Sequence, residues 1–379
     1  MKKAYNESWV ENLAIQETLE NWLYKKLITD DQNKTAKINF PEKFYRPGLF
    51  IKIGLFFFAC IACCFFVGFI TLFVADSGEK AFAVVGFLSC ICFTLLLEYL
   101  IRKKDLFHSG VDNALLYAAL AAAIIPFFIL FEHLEFWQYC VIILIAFIAA
   151  TLRYADIFVT AGSYLTIFAL MANLMMKFPI GKALLPFAIM ALATAIYFSI
   201  KKIKDQYYMD CCKVVEVLSL ITLYLGGNYY VVREGNAVLA NITYGFSPQI
   251  PFAAIFYSST LLIPLLFTFF GLKGKDRILL LVGLFALAFS IFTYRYYFGF
   301  LTIAQGLTIA GIVMVSSATL CIRFFSQPKF GITDEPEGER KLANLESVLA
   351  SQYLGQSPEE KSFEFGGGDF GGGGAGNRY

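Results

Sequence analysis

The residues of this chain that could do chemistry are few and scattered. Cys60-x-x-Cys63 has the spacing of a metal-ligand pair. No second pair follows it, and it lies in a run of Phe, Ala and Ile, so it reads as small packing residues. Seven of the nine cysteines fall inside apolar stretches, Cys211 and Cys212 being the others, and no disulfide framework is implied. The two histidines, His108 and His133, fall on opposite sides of the expected topology and cannot share a site. A zinc site needs further thiolate or carboxylate ligands that the spacing does not supply. His133 stands beside Glu132 without a serine partner. H-E-x-x-H, G-x-S-x-G and Walker patterns are lacking. The expectation is a non-enzymatic protein with no catalytic residue, cofactor or metal.

Moving a solute through lipid requires polar groups at depth. The acids within or beside apolar stretches are Glu98, Asp156 and Glu216, close to Arg102, Arg153 and Lys213. Arg153 and Asp156 are three apart and could pair on one helix face. The plainer reading of all six is interfacial anchoring. Deeper neutral groups are Ser163, Tyr164, Asn173, Ser290, Thr302, Gln305 and Thr308. Gln305 is the costliest to leave in lipid and is expected to face the bundle interior. Pro264 cannot donate to the Thr260 carbonyl and should kink its helix. The hydroxyls of Ser258, Ser259 and Thr260 would satisfy the freed backbone or line a polar cavity. Tyr294-Arg295-Tyr296-Tyr297 reads as an aromatic-belt anchor, or more sharply as a mouth for an anionic group. The candidates for a polar cavity or pairing are thus Gln305, Arg153, Asp156, Ser259, Thr260, Asn173 and Arg295.

The elements that must position these residues are apolar stretches of about twenty residues, the length that crosses hydrocarbon as a helix. The chain is 58% hydrophobic and 16% charged, with mean hydropathy +0.63. The pattern predicts an all-α polytopic bundle with spans near 49–75, 81–101, 112–131, 136–152, 155–176, 180–200, 211–232, 252–272, 278–295 and 298–325. The fourth and ninth are short, so eight or nine spans is the alternative count. With the Lys-rich N-terminus inside, the inner loops carry eleven basic residues (Arg102, Lys103, Lys104, Arg153, Lys201, Lys202, Lys204, Lys213, Lys273, Lys275, Arg277) and the outer loops five (Lys80, Lys177, Lys182, Arg233, Arg295). That asymmetry predicts both termini in the cytoplasm. The composition suggests a bacterial inner membrane. A net charge of +2 gives no reason to expect nucleic acid as a partner. Small-residue stripes at Ala114–Ala118–Ala122, Ala191–Ala195 and Gly306–Ala310 mark close helix contacts within one bundle.

Residues 1–46 form a cytoplasmic helical segment, 47–325 the bundle and 326–379 a cytoplasmic tail with a Gly-rich end. Ser8-x-x-Glu11 predicts a helix to about Lys26, and Thr29-x-x-Gln32 caps a second near 30–37. Besides the bilayer, a protein partner docking on residues 1–46 or on the tail is the expected contact.

Trp22-x4-Leu27-Ile28-Thr29-x2-Gln32 before about ten spans, with Tyr294-x-Tyr296-Tyr297, Leu301-Thr302 and Gly306 in the last, resembles a group of bacterial multi-pass membrane proteins with a domain of unknown function. The Gly-rich tail and the long loop after the seventh span depart from that pattern. The resemblance implies topology and no activity. Two functions remain: a scaffold, envelope-maintenance factor or sensor acting through its cytoplasmic ends, and a small-solute transporter or channel. An internal repeat would favour transport. None is evident, and the first reading leads, with an intramembrane enzyme third.

Overall fold

Helix boundaries follow local chemistry. In the computed structural model, which describes residues 2–74, 76–240 and 247–299 and scattered positions from Thr302 to Arg323, Asn6 begins the first helix. Its side chain accepts from the Ser8 and Trp9 amides, so α1 runs Glu7–Tyr24 and Ser8 is not the cap. Asn caps as well as Ser and stands nearer the chain turn. Thr29 and Gln32 do form the expected capping box of α2, Asp30–Asn39.

Eight further helices are long and apolar enough to cross a membrane: α3 Leu49–Leu72, α4 Glu79–Lys104, α5 Val111–Leu130, α6 Phe136–Tyr154, α7 Ile157–Met176, α8 Gly181–Ile200, α11 Ala253–Gly274 and α12 Arg277–Phe298. Between them lie α9, Met209–Gly227, and α10, Tyr229–Leu239. No strand occurs among the described residues; Tyr45 and Leu106 form an isolated bridge. The outward faces are apolar: Phe58, Phe65 and Phe285 are 73%, 75% and 77% exposed. In water each would forgo about 1.5–3 kcal/mol of burial. The chain is therefore a membrane-embedded, multi-pass helical bundle.

The helices alternate in direction, which gathers the loops at two ends. At one end the main chain of Ala4 bonds Arg153, Tyr45 bonds Asp105, and Lys3 pairs with Asp205. At the other lie the C-terminal ends of α3, α5, α7, α10 and α12. The α4–α5 hairpin closes over the predicted alanine stripe, with Ala114 1% exposed. Gly86 of α4 admits this approach, since a Cβ there would lie 2.5 Å from Pro126 Cγ. Ala191 and Ala195 instead face outward, and Ala193 is the buried alanine of α8. Gly306 and Ala310 lie outside the described residues, as do the tail and most of the tenth predicted span.

The central helix is α9, packed against α7, α8, α11 and α12. Its first turns carry Asp210, Lys213 and Glu216, and nine of its 19 residues are buried. The predicted span 211–232 is not continuous. It breaks at Asn228, whose extended backbone (φ −83°, ψ 124°) ends α9 before α10 starts at Tyr229. Thr260, which bonds the break, lies seven residues into α11, so the break sits about 10 Å below that helix's end.

Candidate functional site

Irregular backbone at membrane depth survives where protein or a cavity satisfies its polar groups. Asn228 is fully buried and caps α10, its Oδ1 accepting from Val231 N at 3.2 Å. Its Nδ2 donates to Tyr224 Oη at 2.8 Å and Thr293 Oγ1 at 3.1 Å. The Tyr229 amide donates to Thr260 Oγ1 at 2.9 Å. Ser290 donates to the Thr260 carbonyl at 2.5 Å, replacing the donor that Pro264 lacks. The expected kink site is thus satisfied from α12, and the local hydroxyls act elsewhere. Ser259 sits against Gly227 at the α9–α11 contact.

Above the break, Tyr229 stacks on Tyr257 with centroids 3.8 Å apart. Arg233 lies 4.8 Å from the Tyr297 ring centre and donates through Nε to the Ser247 carbonyl at 3.0 Å. Glu234 accepts from the Tyr297 hydroxyl at 2.5 Å and from the Ser247 hydroxyl. This cluster pins α10 to α12 and to the segment before α11.

Beneath α10 lies a half-enclosed cavity of about 300 Å³. Leu185, Pro186 and Ile189 of α8, Val232 of α10, Ile250 and Phe256 form most of its wall. Lys182, Thr222 and Asn236 are its polar side chains, and Lys182 is its one charge among the described residues. From Thr222 a polar line continues down α9 through Ser219 to Glu216, at i, i+3 spacing on one face. Across the α7–α9 contact the Tyr164 hydroxyl approaches Ser219 and Thr222. Neither the Ser219 nor the Tyr164 hydroxyl has a hydrogen-bond partner among the described residues, although both side chains are buried. The line ends at an ion cluster where Lys201 pairs with Glu216 at 2.5 Å and Asp276 at 2.6 Å.

The N-terminal end holds a second polar cluster, which serves as a clamp. Tyr5 donates to Asp112 Oδ2 at 2.9 Å, and the Ser109 amide donates to Oδ1 at 2.8 Å. Asp156 caps α7 and accepts from Asn113 at 2.7 Å and Tyr117 at 3.0 Å. Gly110 allows the tight entry to α5: its φ is +101°, and a Cβ would lie 2.3 Å from the Lys52 carbonyl. Burial holds the His108 imidazole below its ordinary range, with Lys52 pushing the same way and Asp112 and Asp156 opposing. Burial likewise raises the Tyr5 hydroxyl, and Asp112 adds to that. The hydrogen bond from Lys3 holds Asp205 below the usual carboxylate range. A cavity of about 330 Å³ borders Lys2–Asn6, and three of its four lining cations are engaged: Lys3 with Glu7 and Asp205, Arg102 and Arg153 with Glu98.

The predicted candidates scatter. Thr260 belongs to the break. Arg153 and Asp156 do not pair, because the turn at Ala155 reverses the chain between them; Arg153 bonds Glu98 at 2.6 Å instead. Gln305 is exposed and accepts from the Thr302 amide, so it does not point into the bundle. Asn173 is half-buried on α7, its amide oxygen without a partner among the described residues. Arg295 is half-buried in the last turns of α12. Sequence reasoning missed Asn228, whose signal was Gly226-Gly227-Asn228, a helix stop followed by a cap residue. His108 and His133 sit at opposite ends, and no group of three or more metal-ligating side chains occurs among the described residues. No protein-family model, curated protein or solved structure matches the chain.

Proposed function

We propose that this protein is a non-enzymatic carrier or channel for a small solute. It resides in the plasma membrane, as the inner membrane of a bacterium, with both termini in the cytoplasm. The observation that carries the reading is the α9–α10 break with a cavity beside it, continued by Thr222, Ser219 and Glu216 toward the other end. Interrupted helices are where membrane carriers build solute sites. The buried Tyr164 and Ser219 hydroxyls, which approach each other, add polar groups to that line at membrane depth. The orientation rests on eleven basic residues against five. The likeness to the bacterial membrane group remains part of the proposal; Thr29 and Gln32, two of its residues, cap α2.

The test is light-scattering swelling of proteoliposomes in a panel of small neutral and anionic solutes. Protein-dependent flux that Ser219→Phe abolishes in a folded protein supports the reading. Equal permeability with and without protein for every solute refutes it. A scaffold or sensor role is the second reading. It is favoured by Trp22, Leu27 and Ile38, which α1, α2 and their link leave exposed for a partner.

A further inference from the structure

The cavity beneath α10 also indicates the chemistry of what enters it, on the reading that it is a solute site. Its wall is apolar on four sides, from α8, α9, α10 and α11. At about 300 Å³ it lies at the small end of ligand cavities, which argues for a compact occupant. Along α8 it reaches from Lys182 to Ile189, seven residues and about 10 Å of depth. Lys182 stands at the rim in the first turn of α8, exposed, with no ion pair among the described residues. No acid is among the lining residues to neutralise it. The acid nearest in sequence on α10, Glu234, is committed to Tyr297 and Ser247. Arg233 is likewise turned away, onto Ser247 and two tyrosine rings. Asn236 adds an amide donor at the cavity edge.

We propose that the cavity binds a medium-chain monocarboxylate, its apolar body between α8 and α10 and its carboxylate on Lys182. An apolar slot with one cation at the mouth discriminates in two steps. The slot excludes hydrated polar solutes, and the ammonium selects an anionic head over a neutral one through a charge-assisted hydrogen bond.

The test is equilibrium binding of radiolabelled octanoate to the purified protein, with octanamide as the uncharged isostere and palmitate as a lipid-sized competitor. Octanoate should bind saturably. Lys182→Gln should weaken octanoate about tenfold and leave octanamide unchanged. Lys182→Arg should restore binding, and Ile189→Trp, which fills the slot, should abolish it for both ligands. A thermal melt confirms that each variant is folded. If octanamide binds as tightly as octanoate, or Lys182→Gln changes neither, the carboxylate proposal is wrong while the cavity remains a solute site. If palmitate displaces octanoate with higher affinity, the occupant is a lipid chain and the proposal is overturned. If no ligand binds and no solute in the swelling panel permeates, the carrier reading falls with it.

Discussion

Asn228→Ala is the sharpest perturbation of the interrupted helix. Wild-type Asn228 caps α10 through Val231 N and bonds Tyr224 and Thr293. Loss of an Asn cap costs about 1 kcal/mol. Hydrogen bonds within a membrane bundle average about 0.6 kcal/mol each, and those to Tyr224 and Thr293 are both lost. Tyr224 keeps Ser290, and Thr293 keeps the Phe289 carbonyl, so their hydroxyls are not orphaned. The total is about 2 kcal/mol. It is measured as the unfolding free energy in mixed micelles titrated with SDS and followed by circular dichroism. Asn228→Asp keeps the cap acceptor but loses the donor and buries a charge, so it should be at least as damaging. Stability within about 0.5 kcal/mol of wild type for either variant would refute the idea that this residue holds the break together.

Other residues give independent checks. Ser290→Ala should cost about 1–2 kcal/mol by stranding the Thr260 carbonyl, and Pro264→Ala, which restores a helical N–H, should recover much of that in a double-mutant cycle. Tyr5→Phe removes a buried bond to a carboxylate and should cost about 1.5–3 kcal/mol, read by the same unfolding titration and by faster proteolysis of α1. Acid should loosen the clamp. The unfolded His108 takes a proton near pH 6.5 that the native imidazole resists, so stability falls as pH drops from there to the lowered native value. Asp205, held low by Lys3, extends the loss below the ordinary aspartate value. The SDS midpoint measured against pH should show both windows, and His108→Asn, which tolerates the positive φ of that position, should flatten the upper one.

Hydropathy made the helices legible because lipid acts on every residue of a span alike. Eight of the predicted spans, the first six, the eighth and the ninth, end within a few residues of a helix. The Thr29 cap and the alanine stripe of α5 were legible for a similar reason, since each depends on neighbours three or four residues away. What could not be read is pairing across the bundle. Nothing local says that Tyr5 will reach Asp112, or that Glu98 rather than Asp156 will take Arg153. The break in α9 was half legible. Gly226-Gly227-Asn228 is a stop-and-cap signal, but inside an apolar run it is overridden by hydropathy unless the neighbours at Thr260 and Thr293 are known. Lys182 read only as one more outer-loop charge, because an apolar cavity forms from four helices distant in sequence.

The arrangement of the two ends across the bilayer is the claim on which the rest depends. Single cysteines introduced at Lys2 and Lys202, and at Glu79 and Glu132, in a background freed of the native nine, can be labelled in intact cells with an impermeant maleimide. The account predicts labelling at Glu79 and Glu132 from outside and protection of Lys2 and Lys202 until the membrane is opened. Labelling of Lys2 or Lys202 in sealed cells, or protection of both Glu79 and Glu132, would contradict it.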